Sequence, residues 1–234
     1  MESTVCKIAI LIACLCALVF GCAPVSGGNS SEIKICRQIY KFDGSRACAK
    51  EANEAICSDF LSHLLEFERQ ANAYKADAAL PARELVFCAR SKIFFDGQKF
   101  FSCRNAYYTY LGGAHGHEES TCFNFVFGEG GAVKNLGLFD VFDFSKREGL
   151  SSLIAGELVG RYKGGLLVDL GAPGASEYVL NSIAGFAVSR DRVWIFFRKY
   201  SVACGACAQA PISLDMQSAR KFFIDSAYIE ALLR

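Results

Sequence analysis

The sequence Tyr-Tyr-Thr-Tyr-Leu-Gly-Gly-Ala-His-Gly-His-Glu, residues 107–118, is the stretch around which the chain is organised. It begins as an aromatic strand, breaks at Gly112 and Gly113, and then presents His115, His117 and an acid. Paired glycines adopt backbone angles that other residues avoid, so they allow a sharp turn. A histidine beside such a turn can coordinate a metal, move a proton or hydrogen-bond the loop. These three interpretations remain open at this point.

The residues on either side predict strands. Leu85–Phe95 and Gln98–Leu111 are rich in Phe, Val, Ile and Tyr, and Asp96-Gly97 between them is a strong hairpin signal. Alternation along the second run predicts a strand with one covered face. Thr121–Phe127 predicts another short strand, so the Gly-Gly-Ala-His loop is expected between two antiparallel strands, where functional loops often lie.

Apolar residues at helical spacing predict two long amphipathic helices, Cys48–Ala73 and Ser145–Tyr162. His63 borders the apolar face of the first and is expected to be partly buried and hydrogen-bonded. Ser145 is expected to cap the second helix, with Glu148 completing a capping box. The apolar stripe of the first helix consists of Ala52, Ile56, Phe60, Leu64, Phe67 and Ala71.

Further along the chain, Ile183–Val188 and Val193–Tyr200 predict a second hairpin, and Pro211–Leu214 a short strand. Strands that outnumber helices and pair locally indicate an α+β fold, with antiparallel hairpins packed against two longer helices rather than βαβ units. We divide this body into two small α+β subdomains, 35–142 and 143–234.

The N-terminus predicts export. A basic residue and an apolar run too short to span a bilayer predict a signal peptide over residues 1–21. The residues before Cys22 resemble a bacterial lipoprotein cleavage motif, and an ordinary signal peptide cut after Ala23 or Ser26 is the alternative. Residues 22–34 are then a lipid-anchored flexible tether. We expect an exported lipoprotein, membrane-anchored at Cys22, in the periplasm or on the cell surface.

Composition limits the partners. The formal net charge is +1, and the sequence has no basic block, which argues against nucleic acid as a partner. Outside the signal no second apolar stretch is long enough to cross a membrane, so membrane contact is expected through the lipid alone. No cofactor motif is found.

Eight cysteines follow the signal and the lipidation candidate Cys22, and an even number in an exported chain predicts disulfides. The closely spaced pair, Cys204-Gly-Ala-Cys207, is expected to be a structural disulfide. A metal site and a thiol–disulfide redox centre remain alternatives for it. The eight are Cys36, Cys48, Cys57, Cys88, Cys103, Cys122, Cys204 and Cys207.

Two motifs resemble a known pair of bacterial extracytoplasmic domains of unknown function. The first comprises Tyr110–Gly116, then Phe123-Asn124-Phe125 and Asn135–Phe142; the second is Val193–Ala203. The two domains occur together in the non-catalytic part of PdaC-type peptidoglycan deacetylases and in RsiV-type anti-sigma factors, which sense lysozyme. The resemblance covers roughly Leu85–Arg234, and Lys199 stands where the family has proline.

The resemblance implies a non-catalytic binding module for peptidoglycan or a peptidoglycan-acting protein such as a muramidase, because the deacetylase's catalytic domain has no counterpart in this sequence. The binding candidates are Tyr110, Gly112, Gly113, His115 and Tyr200. We expect no catalytic residue and no bound metal.

The alternative is a metal-dependent hydrolase built on His115, His117 and Glu118 or Glu119. The two histidines would point the same way in an extended segment, as a two-ligand site requires. The chain has three histidines, and His63 is far from the others in sequence, so an acid or cysteine would have to complete such a site.

Overall fold

The computed structural model describes residues 31–43, 49–77, 79–162, 165–203, 211–225, 229–230 and 233. Within them the α+β prediction is confirmed: hairpin strands form two sheets, ordered β1-β2-β3-β4-β5 and β6-β7-β8, that pack against helices. The strands are β1 (Ile33–Gln38), β2 (Leu85–Asp96), β3 (Phe100–Tyr110), β4 (His117–Phe127), β5 (Val133–Asn135), β6 (Ile183–Val188), β7 (Arg192–Phe197) and β8 (Ile212–Asp215). The helices are α1 (Ala49–Ala76), α2 (Leu138–Val141), α3 (Arg147–Tyr162), α4 (Ala175–Asn181) and α5 (Met216–Ala219).

Both long helices form where their periodicity predicted them. The apolar stripe predicted for α1 is buried along its whole length. The second helix begins at Arg147 rather than Ser145, because Asp143 accepts hydrogen bonds from the backbone and hydroxyl of Ser145. That contact caps the start of a short 3-10 turn, Phe144–Lys146, which leads into α3, so the predicted cap at Ser145 is wrong and Asp143 caps the segment instead.

The strand β1 is a finding that the sequence did not predict. It pairs in parallel with β2, with Cys36 opposite Cys88, and α1 connects the two strands as a βαβ unit. The first sheet is therefore not purely antiparallel. The strand gave little sequence signal because its apolar residues are few, and Ile35 is 49% exposed.

The strand β4 begins at His117, four residues before its predicted start. The amide of Phe127 donates to the carbonyl of Lys99, and the hydroxyl of Thr109 lies 3.5 Å from the carbonyl of His117, so β3 and β4 run antiparallel over their full length. The first residues of β4 are polar and partly exposed, which hid the strand in the sequence. His117 consequently lies in a strand rather than in the loop.

The prediction that β3 has one covered face is wrong, because residues 100–107 are buried on both faces apart from the half-buried Arg104. On one of these faces Ser102 accepts a hydrogen bond from the backbone of Val188 in β6. A second sheet therefore covers the face that the alternation had assigned to solvent.

The described chain forms two compact units. The first comprises the described residues up to Ser91 together with Ala106–Glu119, and the second comprises Lys92–Asn105 and the described residues from Ser120 onward. In the first unit α1 packs on β2 and Tyr107; in the second, α3 packs on β6, β7 and β8. Among the described helices, none has the length and apolarity needed to span a membrane.

Candidate functional site

The Gly-Gly-Ala-His loop between β3 and β4 is fixed by side chains from outside it. Arg83 Nη1 donates to the carbonyl of Gly112 at 2.7 Å and lies 3.4 Å from the hydroxyl of Tyr110. Gly112 has a φ of 81°, a left-handed conformation, and the ring of Tyr74 covers it. Gly112 is thus required both for its backbone angle and for the close contact.

The other predicted loop residues are less constrained. The atom nearest to a Cβ built on Gly113 is 4.0 Å away. His115 is exposed and forms no hydrogen bond with any residue that the structure describes, so the interpretation that it hydrogen-bonds the loop is not met there. Arg83 supplies the contact to a loop carbonyl instead. Gly113 and His115 are therefore accessible, and their role in binding stays a prediction.

A polar cluster lies where α1 meets the start of β4. His63 Nδ1 is 3.4 Å from Glu119 Oε2, and His63 Nε2 is 3.7 Å from Asp59 Oδ1. Glu119 Oε1 is 3.0 Å from His117 Nε2. Two histidines that are far apart in sequence thus contact one carboxylate, which the sequence analysis did not predict.

An aromatic side chain completes this cluster. The ring of His63 stacks on that of Tyr107, with 4.0 Å between centroids, and the hydroxyl of Tyr107 donates to Asp59. His63 is 24% and Asp59 16% exposed, whereas Glu119 is half exposed. The expectation that His63 is partly buried agrees with this geometry. The spacing of Asp59 and His63, four residues apart on one helix face, was the signal that could have revealed the pair.

The contacts of this cluster are hydrogen bonds and close polar contacts between a helix and a sheet. In the part of the chain that the structure describes, no group of three or more His, Cys, Asp or Glu side chains is placed to hold a metal ion. The hydrolase alternative built on His115 and His117 therefore gains no support from the described geometry.

The cysteines separate into three groups. Cys36 and Cys88 form a disulfide between the paired strands β1 and β2. Cys103 is buried, and Cys57 and Cys122 are half-buried. The remaining candidates, Cys48, Cys204 and Cys207, lie outside the described residues, so the nature of the Cys204–Cys207 pair stays a prediction.

Tyr200 combines exposure with an unusual backbone. Its φ is 61°, and it is the non-glycine residue with a positive φ in the described chain. Its side chain is 57% exposed, and Lys199 Nζ lies 5.0 Å from the ring centroid. The turn around it is held by hydrogen bonds from Tyr178 to the carbonyl of Ser201 and from Ser201 to the carbonyl of Arg198.

The motif residue Asn124 has a structural role. It is 1% exposed; its amide donates to the carbonyl of Phe186, and its Oδ1 accepts from the hydroxyl of Ser102. The backbone amide of Asn124 donates to the side chain of Asn135, the first residue of the next motif segment. Asn124 and Ser102 therefore form a buried polar network in the second unit, and the exposed Asn135 contacts its edge.

Comparison with known families agrees with the motif segment Tyr110–Gly116. Residues 28–118 match the family model described as Deacetylase PdaC. The PdaC-type resemblance is confirmed. The match includes the Gly-Gly-Ala-His loop, and it begins earlier in the chain than the motifs suggested. It supports a non-catalytic extracytoplasmic domain.

One solved structure shows a related fold. A DUF3298 family protein from Bacteroides fragilis superposes with a TM-score of 0.50 at 16% sequence identity, over 80% of this chain and 77% of that one. At this identity the similarity shows the fold alone. A DUF3298 family protein from Pseudomonas aeruginosa aligns with a TM-score of 0.45 at 13% identity, over 61% of this chain and 63% of that one. None of the curated proteins matched the chain in sequence.

Proposed function

We propose that this protein is a non-catalytic binding module of the bacterial cell envelope, which recognises peptidoglycan or a protein that acts on it, such as a muramidase. The observation that carries the proposal is Tyr200, an exposed aromatic residue held at a φ of 61°. The PdaC-type match of residues 28–118 supports the extracytoplasmic setting.

The argument from Tyr200 is energetic. A left-handed backbone costs a non-glycine residue about 1–2 kcal/mol, and glycine would avoid that cost. The ring of Tyr200 is 57% exposed, so its burial gives little back to the folded state. Tyr200 therefore costs the folded state more free energy than it returns, and we attribute its presence to binding rather than to stability.

The surroundings of Tyr200 suit a binding surface. Hydrogen bonds on both sides of Tyr200 fix the turn. Binding therefore costs little further conformational entropy of this backbone. Tyr178, whose hydroxyl helps to hold the turn, is itself 47% exposed, and Arg198 is exposed as well. Aromatic faces bind sugar rings and also serve as protein hot spots, which are the two partner classes in the proposal.

The test is sedimentation with purified sacculi and pull-down with lysozyme and with envelope extracts, comparing the wild type with Tyr200→Gly. We expect binding to fall by roughly tenfold or more, as for a hot-spot aromatic. The free energy of unfolding should stay equal or rise by about 1 kcal/mol, because glycine accepts the backbone angle. A loss of binding without a loss of stability separates recognition from folding.

Tyr200→Phe should retain most of the binding because it keeps the ring, and Leu65→Ala is the control for an exposed apolar residue elsewhere. The proposal is wrong if the wild type enriches on none of these partners, or if Tyr200→Gly binds as tightly as the wild type.

We further infer that the chain is held at a membrane by a lipid on Cys22, as the cleavage motif indicates. Growth with a labelled fatty acid should label the wild-type protein and not Cys22→Ser. Equal labelling of the two would contradict the anchor at this residue.

A further inference from the structure

The strand β1 lies at the outside of the first sheet, and among the described strands only β2 pairs with it. The amide of Leu85 donates to the carbonyl of Glu32 at 2.7 Å, and Leu85 is opposite Ile33. In a parallel pair, alternate residues of one strand bond to the other, so the residues between them direct their backbone groups away. The residues whose N–H and C=O groups point away from β2 are Ile33, Ile35 and Arg37. We call these backbone groups the β1 edge.

The β1 edge is open to pairing with another strand. Proline residues and β-bulges protect many edge strands from such pairing. The strand β1 contains no proline, and its register with β2 is unbroken from Ile33 to Gln38. The disulfide between Cys36 and Cys88 joins the two strands within this register, so the edge is held in place before a partner binds. Unpaired donors and acceptors at strand spacing are complementary to another extended chain.

The side chains on β1 indicate the charge of that chain. Lys34 and Arg37 are exposed, and neither forms an ion pair within the described residues. The strand itself holds no acid, and the β2 residues opposite positions 34–37 are uncharged. Glu32 and Glu84 lie just before the two paired strands, whereas Lys41 lies beyond β1. The acids are thus confined to one end, and the middle of the edge is positively charged.

An apolar side chain lies between the two cations. Ile35 is 49% exposed. Because side chains alternate along a strand, Ile35 shares a face with Arg37, whose guanidinium lies 5.0 Å from the ring centroid of Phe60 in α1. Lys34 lies on the other face, so a partner strand meets one cation on each face. Two copies of β1 paired with each other would bring the cations of both copies onto adjacent strands, which like-charge repulsion disfavours.

We propose that the β1 edge binds an extended segment of a partner protein, which adds to the first sheet as a further strand. The segment carries acidic side chains opposite Lys34 and Arg37 and an apolar side chain opposite Ile35. Backbone hydrogen bonds supply the pairing, and the side chains select the partner. The inference does not depend on Tyr200, and it holds or fails separately from the proposed function.

The probe is a synthetic peptide, Thr-Glu-Thr-Val-Glu-Val-Thr, whose acids match the spacing of Lys34 and Arg37 when it lies antiparallel to β1. We expect the full-length protein to bind the labelled peptide in a fluorescence anisotropy titration at low ionic strength. Lysine in place of both glutamates should weaken binding by roughly tenfold or more, because the charges then repel.

N-methylated peptides separate backbone pairing from charge. Methylation of the fourth and sixth amides removes donors that face β1 in the antiparallel arrangement, and it should weaken binding by roughly tenfold or more. Methylation of the third and fifth amides, which face away from β1, should weaken binding much less. These peptides need no change in the protein, so their results do not depend on how a variant folds.

Variants of β1 test the same contacts from the protein. Ile35→Pro removes an N–H of the β1 edge and no bond to β2, so it should lower the affinity by roughly tenfold or more. Ile35→Thr keeps that N–H and should lower it less. Lys34→Glu/Arg37→Glu should lose the glutamate peptide and gain affinity for the lysine peptide. Lys99→Glu/Arg161→Glu changes two exposed cations of the second unit by the same charge, and this control should leave both affinities nearly unchanged.

Amide hydrogen exchange locates the bound peptide. The amides of Lys34 and Cys36 face β2 and should exchange slowly with or without the glutamate peptide. The amide of Ile35 faces away and should exchange slowly only when the peptide is bound. Melting temperatures check that each variant is folded.

The proposal is overturned if the wild type does not bind the glutamate peptide, or if it binds the lysine peptide equally tightly. It is also overturned if the bound peptide leaves the Ile35 amide unprotected. A dimer in sedimentation that Ile35→Pro dissociates would overturn it as well, since the β1 edge would then join two copies of this chain.

Discussion

The phenol of Tyr74 lies against the α-carbon of Gly112. A Cβ on Gly112 would come within 2.6 Å of the Tyr74 hydroxyl oxygen and 2.9 Å of the ring edge. The hydroxyl of Tyr74 also donates to the carbonyl of Pro81 at 3.0 Å, so the ring is held in place and cannot easily move aside. The helix α1, which carries Tyr74, thus fixes the loop between β3 and β4 at Gly112.

Gly112→Ala should therefore destabilise the protein. The left-handed φ of 81° and the overlap with Tyr74 together are expected to lower the free energy of unfolding by roughly 2–4 kcal/mol, measured by urea denaturation. Gly113→Ala, in the same loop but with its nearest neighbour at 4.0 Å, should change it by less than about 1 kcal/mol.

A double variant separates the two costs. In a Tyr74→Ala background, Gly112→Ala should keep only the backbone cost of about 1–2 kcal/mol. An equal cost in both backgrounds would show that the contact with Tyr74 does not contribute.

Asn124→Ala should be costly because it leaves buried polar groups without their partners. The carbonyl of Phe186 loses its side-chain donor, and the hydroxyl of Ser102 loses its acceptor. We expect a loss of roughly 2–4 kcal/mol in chemical denaturation. Ser152→Ala is the control, because that hydroxyl donates to the carbonyl of Glu148 at an exposed position, and its removal should cost less than about 0.5 kcal/mol. Equal losses for the two variants would contradict the role of Asn124.

The lowered pKa of Asp140 predicts how the free energy of unfolding depends on pH. The hydrogen bond from Lys134, and next that from the Gly137 backbone, hold its pKa below the ordinary value of 3.8. A lowered folded-state pKa stabilises the protein fully above the ordinary value, and this stabilisation is lost as the pH falls through the folded value. Asp140→Asn should therefore cost up to about 1 kcal/mol near pH 7, because the pair is exposed, and progressively less in acid below about pH 4.

The measurement is the difference in unfolding free energy between the wild type and Asp140→Asn across this pH range. Lys134→Met removes the first cause of the lowered pKa and should weaken the dependence. A difference that grows on acidification would have the wrong sign for this account.

The disulfide between Cys36 and Cys88 should contribute strongly to stability. It joins residues 52 apart in sequence, and closing a loop of that length is expected to stabilise the folded state by about 4 kcal/mol. Cys36→Ala/Cys88→Ala should lose roughly this amount in urea denaturation. A reductant should then lower the stability of the wild type more than that of the double variant. If both respond equally, other cysteines account for the effect of the reductant.

Much of the local structure could be predicted from residue periodicity. The spacing of Ile56, Phe60 and Leu64 located the buried stripe of α1, because a helix places every third and fourth residue on one face. Asp96-Gly97 located the first hairpin for a reason equally local, the backbone angles that a tight turn requires. The α+β class followed from these elements, and the motif at Tyr110–Gly116 indicated the family resemblance.

The candidate site shows where local pattern stops being sufficient. Gly112 was identified from the sequence as a turn residue, but its dependence on Tyr74 and Arg83 required the positions of two distant side chains. The exposure of Tyr200 and of Phe139 likewise follows from what packs around them, and the same aromatic residues could have been buried in another arrangement.

By itself, then, the sequence determined the two long helices, the two hairpins and the apolar face of α1, because these depend on neighbours a few residues away. Only the tertiary structure decided that β1 pairs in parallel with β2 and that both faces of β3 are covered. It also brought His63 to Glu119. The apolar spacing along a segment predicts that one face will be buried. Which element buries that face depends on contacts between residues far apart in sequence.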